Sequence, residues 1–153
     1  MARRVYFSFQ PESDRGRAAR VRAAQVMRGF EVVGFFDPTE CAALRHDPTR
    51  DRRIAARLDG TSVTVVLIGT HTASCDWVQR ELALSIVRGN ALLGLRIHHV
   101  PDQHGGTGWF PGATPSLPAG VTCPVFEWDP GLGRLGREIE GAVRRRDARW
   151  ERA

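Results

Sequence analysis

Residues 62–68 (SVTVVLI) constrain the fold of this chain more than any other segment. The run is almost entirely β-branched or aliphatic, whereas a strand with one face in water would alternate apolar and polar residues. Strands of this kind are covered on both faces, as in parallel sheets that helices flank on both sides. The segment therefore predicts a central strand of an α/β sheet.

Strand-like and helix-like segments alternate along the rest of the chain. Strands are predicted at 4–9, 30–36, 91–98 and 122–128, and helices at 16–28, 49–58, between Ser74 and Gly89, and at 132–149. Residues 39–47 are predicted to be irregular, and the Gly- and Pro-rich segment 101–120 to be a loop. This alternation favours one domain over residues 1–153, with a doubly wound, flavodoxin-like sheet of five parallel strands in the order 2-1-3-4-5.

Composition and charge narrow the classes of function. No segment approaches the roughly 20 apolar residues of a membrane span, and the N-terminus lacks the pattern of a secretory signal, so we expect a cytoplasmic protein without a membrane partner. The net charge is +5, but the 22 basic residues, all arginine, are scattered among 17 acids. No basic patch is interleaved with aromatic residues, which disfavours nucleic acid as a partner.

Three further patterns are open to an ordinary structural interpretation. The three cysteines are widely spaced and form no disulfide framework or metal motif. His98 and His99 are predicted to lie on a strand, where neighbouring side chains point to opposite faces, so we expect no metal site there. Residues 131–136 match G-x-G-x-x-G, but too little chain follows for a dinucleotide-binding unit. We interpret these glycines as a strand-to-helix turn.

The predicted topology indicates where a ligand would bind. In doubly wound sheets, ligands bind beyond the carboxyl ends of the strands, where the strand order reverses. For the order 2-1-3-4-5 this point lies between the first and third strands. The residues that leave those strands include Phe9, Gln10 and Thr70, which are therefore candidate binding residues.

The helix after residue 75 carries the most informative side chains. Val78, Leu82 and Ile86 form its apolar stripe, and Trp77 and Glu81 lie one turn apart along the border of that stripe. Most glutamates at such borders have no chemical role. Glu81, however, is predicted to lie close to the binding crevice, with an aromatic residue one turn away.

Several short motifs follow one another through the first two thirds of the chain. They are VYFSF at 5–9, FFD at 35–37, GTSVTVVLIG at 60–69, WVQREL at 77–82, SI at 85–86 and GNALLGLRIH at 89–98. In this order and spacing they resemble TIR domains, and in particular the TIR-like family that includes the TIR proteins of the Thoeris antiphage defence system. The resemblance is strong over residues 4–98 and loose beyond them.

The resemblance implies an enzyme that cleaves NAD between nicotinamide and ribose. The essential glutamate of the family matches Glu81, and its aromatic residue one turn earlier matches Trp77. We therefore expect Glu81 to be catalytic and Phe9, Gln10, Asp37, Thr70 and Trp77 to contact the substrate, with no metal and no further cofactor. The resemblance also implies an ADP-ribose-type messenger, cyclic or otherwise modified, that activates a separate effector after a phage trigger. A homo-oligomer is left open.

The chemistry is compatible with so sparse a site. Nicotinamide leaves a pyridinium as a neutral molecule, so one carboxylate that stabilises the oxocarbenium-like ribose is sufficient. Relatives often carry histidine and an aromatic residue where this chain has Gln10 and Pro11, which leaves the exact product open. The alternative is a TIR interaction module that signals by self-association without catalysis.

Overall fold

The computed structural model describes residues 2–108, 110–130 and 133–152. All strand pairs in its single five-stranded sheet are parallel, and the strand order is β2-β1-β3-β4-β5, which confirms the predicted fold class. The strands are β1 Arg3–Ser8, β2 Phe30–Val33, β3 Val63–Ile68, β4 Ala91–Arg96 and β5 Val125–Glu127. The α-helices are α1 Arg15–Ala23, α2 Pro38–Leu44, α3 Arg50–Leu58, α4 Asp76–Arg88 and α5 Arg134–Glu151.

The central strand is β3, as its apolar sequence predicts. All six of its residues are buried, and it pairs with β1 on one side and β4 on the other, with Val65 opposite Phe7 and Leu93. Because both neighbours are hydrogen-bonded and both faces are covered, an alternating polar pattern would leave polar groups without water.

Helices cover the two faces of the sheet, and the side chains of β1 divide between them. Val5 and Phe7, with Phe9 directly after the strand, pack in the same apolar cluster as residues of α1 and α5. Tyr6, which points to the other face because strand side chains alternate, packs with residues of α2, α3 and α4. The second face holds the candidate site described below.

Several predicted boundaries are wrong: β2 ends at Val33 and not at residue 36, and β5 spans Val125–Glu127 and not 122–128. Two further differences are informative. Residues 38–44 form helix α2, although the segment was expected to be irregular. The helix begins with a capping Asp37, whose side chain accepts a hydrogen bond from the Thr39 amide at 2.7 Å, followed by Pro38 in the first turn. The predicted first helix ends early: α1 stops at Ala23, and Ala24 is extended before a short 3₁₀ turn.

The end of β4 also differs from the prediction. The strand stops at Arg96, so His98 and His99 lie in the turn that follows, not on the strand. Their rings contact each other edge to face, with centroids 5.2 Å apart. The premise that the two side chains point to opposite faces is therefore wrong.

Two further expectations concern the last third of the chain and the membrane. Residues 131 and 132, the start of the G-x-G-x-x-G match, lie outside the described residues. In the part of the chain that the structure describes, we find no helix whose length and hydropathy would let it cross a bilayer.

Candidate active site

A cavity of about 360 Å³ opens at the carboxyl end of β1, between the segment that follows this strand and the start of α4. The α2 helix and the connection from α2 to α3 form its other wall. The lining residues are Gln10, Pro11, Glu12, Cys41, Arg45, His46, Arg50, Ser74, Cys75, Asp76 and Trp77. This is the edge of the sheet at which parallel α/β folds bind ligands.

Glu81 lies one turn beyond Trp77 on α4, and its side chain is held by two hydroxyl groups of β1. Ser8 Oγ donates a hydrogen bond to Glu81 Oε1 at 2.9 Å, and the Tyr6 hydroxyl donates to Oε2. Tyr6 and Ser8 are two residues apart on the strand and so point to the same face. Both carboxylate oxygens therefore have partners from a single strand.

Burial of Glu81 changes its acidity. The residue is 1% exposed, and loss of hydration raises the pKa of its carboxyl group from 4.5 to about 8. Hydrogen bonds from Tyr6, Ser8 and Trp77 favour the charged form and oppose this increase without cancelling it. At neutral pH the resting site therefore holds mostly a neutral carboxylic acid, poised to ionise when a positive charge approaches.

The predicted position of Glu81 at the border of the helix stripe is wrong in detail. Trp77, Glu81 and Ser85 are all buried, so α4 buries two adjacent rows of side chains. The reason is that α4 packs against α3 as well as against the sheet. The second row carries polar groups because it meets polar partners: Ser85 Oγ lies 2.8 Å from Thr64 Oγ1 on β3.

Trp77 connects the cavity with Glu81. Its indole lines the cavity, is only 8% exposed, and packs edge to face on Phe36 with ring centroids 5.1 Å apart. Its side chain also helps to lower the pKa of the Glu81 carboxyl group. Trp77 thus lines the cavity one helical turn before Glu81, which is buried and does not line it.

Cationic side chains stand on one wall of the cavity. Arg50 Nη1 donates to Asp76 Oδ2 at 2.9 Å, and Arg45 Nη2 donates to Glu12 Oε1 at 3.3 Å. Each guanidinium keeps further N–H donors, so both could bind the oxygens of a diphosphate.

The two thiols of the cavity are not activated. Burial raises the pKa of Cys41 to about 12 and also raises that of Cys75, although Cys75 immediately precedes α4. Both side chains are protonated at neutral pH and are poor nucleophiles. Glu81 is therefore the better candidate for the reacting group.

The structure brings together some of the predicted site residues and not others. Gln10 and Trp77 line the cavity, and the Gln10 side chain is fixed by a hydrogen bond from the Ser13 amide at 2.6 Å. Phe9 lies on the opposite face of the sheet, packed on Phe35 with centroids 5.0 Å apart.

Asp37 and Thr70 also lie apart from the cavity lining. Asp37 is exposed and caps α2, and its hydrogen bond to Thr39 lowers its pKa. Thr70 is exposed and lies beside Gly112, whose α-carbon approaches so closely that an added Cβ would be 1.8 Å from the Gly69 carbonyl oxygen. That loop covers the end of β3.

Sequence reasoning missed four residues of this region. Tyr6 and Ser8 had a readable signal, because polar side chains two apart on a strand buried on both faces need a buried partner. Arg45 and Arg50 had none, since arginines occur throughout the sequence and only the packing of α2 and α3 selects these two.

Comparison with known proteins gives two findings. A family model described as "Thoeris protein ThsB, TIR-like domain" matches residues 6–102. The chain is also 37% identical over 109 residues to a Bacillus cereus (strain MSX-D12) protein named "Putative cyclic ADP-D-ribose synthase ThsB1". That alignment covers 69% of this chain and 57% of the relative, so the chain matches little more than half the length of the curated protein.

Proposed function

Because the chain belongs to the TIR-like domain family of the Thoeris protein ThsB, we propose that it cleaves NAD between nicotinamide and ribose and forms a cyclic ADP-ribose-type signalling nucleotide. The observation that carries the proposal is the buried Glu81 carboxyl group, one helical turn after Trp77, which lines a cavity together with two arginines. The name of the Bacillus relative supports a cyclic product.

In the proposed reaction, Glu81 stabilises positive charge. The bond between the nicotinamide nitrogen and the ribose carbon breaks, nicotinamide keeps the electron pair and leaves neutral, and the ribose becomes oxocarbenium-like. Only the ionised carboxylate offsets that charge. The pyridinium of the bound substrate lowers the pKa of Glu81, since a nearby positive charge favours the charged form.

Access to Glu81 requires the site to open. A side chain that is 1% exposed cannot contact a ribose in the cavity as it stands. Trp77 lines the cavity one turn before Glu81, and we propose that its displacement from Phe36 exposes the carboxylate to the substrate. This requirement is consistent with an enzyme that is idle until a phage trigger or self-assembly changes the site.

The cavity wall supplies a binding group for the rest of NAD. We assign the diphosphate to Arg45 and Arg50, whose free N–H donors suit phosphate oxygens. A cyclic product then forms if a nitrogen of the adenine, and not water, attacks the ribose carbon. We propose that this messenger acts on a separate effector protein.

A specific observation favours one alternative, a TIR interaction module without catalysis. Both oxygens of Glu81 accept hydrogen bonds from β1, so the residue also serves to fasten α4 to the sheet. A chain that used Glu81 only in this way would signal by self-association and leave NAD intact.

Product analysis separates the two functions. Purified protein, alone and with an extract of phage-infected cells, is incubated with NAD, and the products are identified by chromatography and mass spectrometry. The enzyme releases nicotinamide together with a nucleotide lighter than ADP-ribose by one water. Unchanged NAD in both samples, with self-association of the chain on addition of the extract, would support the interaction module instead.

A further inference from the structure

A cluster of potential metal ligands lies at the ends of β4 and β5. One ring nitrogen of His98, one of His99 and a carboxylate oxygen of Glu127 all lie within 4.8 Å of one another. We propose that these three side chains bind a divalent transition-metal ion of the zinc class. The proposal is independent of the catalytic function argued above and reverses our expectation that the histidines form no metal site.

The hydrogen bonding of His99 presents a lone pair to the cluster. Its Nε2 lies 3.1 Å from the Trp128 carbonyl oxygen, which can only accept, so Nε2 is the protonated nitrogen and Nδ1 is left as the donor of a lone pair. Nδ1 lies 3.9 Å from Glu127 Oε2. Two electron-rich atoms thus face each other, an arrangement that a cation between them stabilises. Metal-bound histidines are usually oriented in this way, because their second ring N–H donates a hydrogen bond to a carbonyl or carboxylate oxygen.

His98 contributes a nitrogen without a competing role. Its Nδ1 is inaccessible to solvent and has no hydrogen-bond partner among the described residues. A buried polar atom without a partner is costly, and such atoms often mark a place where an ion or water is held. Because no hydrogen bond to a described residue engages Nδ1, this nitrogen is not committed as a donor and can offer its lone pair to a metal.

The donor set fits zinc. Two imidazoles and one carboxylate form a common three-ligand zinc set, with a water molecule as the fourth ligand. His99 and Glu127 are exposed, so water can reach the site. A cationic side chain, Arg96, contacts the cluster, with its Nε 3.7 Å from Glu127 Oε1. Its contact is with the other carboxylate oxygen and leaves Oε2 for the ion.

A bound ion would join two parts of the fold. His98 and His99 follow β4, and Glu127 is the last residue of β5, an edge strand of three residues. Since β5 pairs with the sheet through only three residue pairs, a metal bridge at its end would hold the edge strand in place. This metal bridge would lie at the carboxyl ends of the strands, at the same edge of the sheet as the cavity.

The test uses the full, untagged chain, stripped of metal with a chelator and titrated with zinc in a calorimeter. We expect one ion per chain, and a rise in melting temperature of roughly 5–10 °C when zinc is 100-fold above its Kd. His99→Ala and Glu127→Gln should each weaken binding at least about tenfold. The matched control is His104→Ala, which removes an exposed histidine outside the cluster and should bind zinc like the wild type.

Two readouts keep the result interpretable. Thermal melting of each variant without zinc shows whether it folds. NMR of the histidine ring nitrogens in the wild type identifies the ligands directly. On addition of zinc, the signals of His98 and His99 should shift, while those of the other three histidines stay in place. Wild-type binding weaker than about millimolar, or zinc held equally well by His99→Ala, would overturn the proposal, the second result by assigning the ion to other groups such as the thiols.

Discussion

Replacement of Glu81 by glutamine should make the stability of the protein less dependent on pH. In the folded state the carboxyl group has a pKa of about 8, against 4.5 for the exposed group. Between these values the folded chain holds a proton that the unfolded chain has released. The free energy of unfolding therefore falls as pH rises from the ordinary pKa towards 8, and the loss is complete above the folded-state pKa.

The size of the effect follows from one proton. Each pH unit within this window changes the unfolding equilibrium by a factor of about ten, so about 2 to 3 kcal/mol is lost over two units. Glutamine has no such dependence, and it can keep both contacts: its amide oxygen accepts from one hydroxyl of Tyr6 or Ser8, and its amide N–H donates to the other. The variant should match the wild type near pH 5 and exceed it near pH 8.

The assay is urea unfolding of both proteins at a series of pH values, with the difference in free energy plotted against pH. Taking the difference cancels the titrating groups that do not interact with Glu81, including Asp14, whose pKa burial also raises. A difference that stays constant over the whole pH range would refute the reasoning, because it would show that Glu81 ionises normally in the folded protein. A variant that is less stable at every pH would show that the amide cannot replace the carboxyl group.

Two further predictions concern turnover of NAD. The value of kcat/KM should rise with pH and level off above about pH 8, because the ionised Glu81 is the active form. Tyr6→Phe removes a hydrogen bond to that form and should move the rise to higher pH. A rise at the same pH in both proteins would contradict this account. Arg45→Ala and Arg50→Ala should each raise KM for NAD roughly tenfold with kcat little changed. The control Arg52→Ala, which removes an exposed arginine, should behave as wild type. Initial rates over a range of NAD concentrations measure KM, and equal KM values in all four proteins would place the diphosphate elsewhere.

Local sequence patterns were sufficient for much of the fold. The apolar run of β3 predicts a strand buried on both faces, and Gly89, with φ of +78°, ends α4 where a glycine is expected after a helix. The helix α2 was missed because it has only seven residues, although Asp37 followed by Pro38 is a typical helix start. The turn at His98 depends on how the following loop packs, which no local pattern records.

The candidate site divides in the same way. The motif around Trp77 and Glu81 could be found from spacing and resemblance. The burial of Glu81 could not, because it arises when Tyr6 and Ser8, more than seventy residues away in sequence, meet α4. The predicted role of Phe9 as a pocket wall depended on its position at the end of β1, whereas the strand's alternation turns its side chain to the opposite face.

The most direct test of the central claim is the rate of NAD cleavage by Glu81→Gln under conditions in which the wild type turns over. Glu31→Gln, which neutralises an exposed glutamate on β2, is the matched control. We predict that the control cleaves NAD like the wild type, and that Glu81→Gln is folded but about 10²–10³ times slower, because an amide cannot offset the oxocarbenium charge. Cleavage by Glu81→Gln at the wild-type rate would show that Glu81 only holds α4 against the sheet and that another residue carries out the reaction.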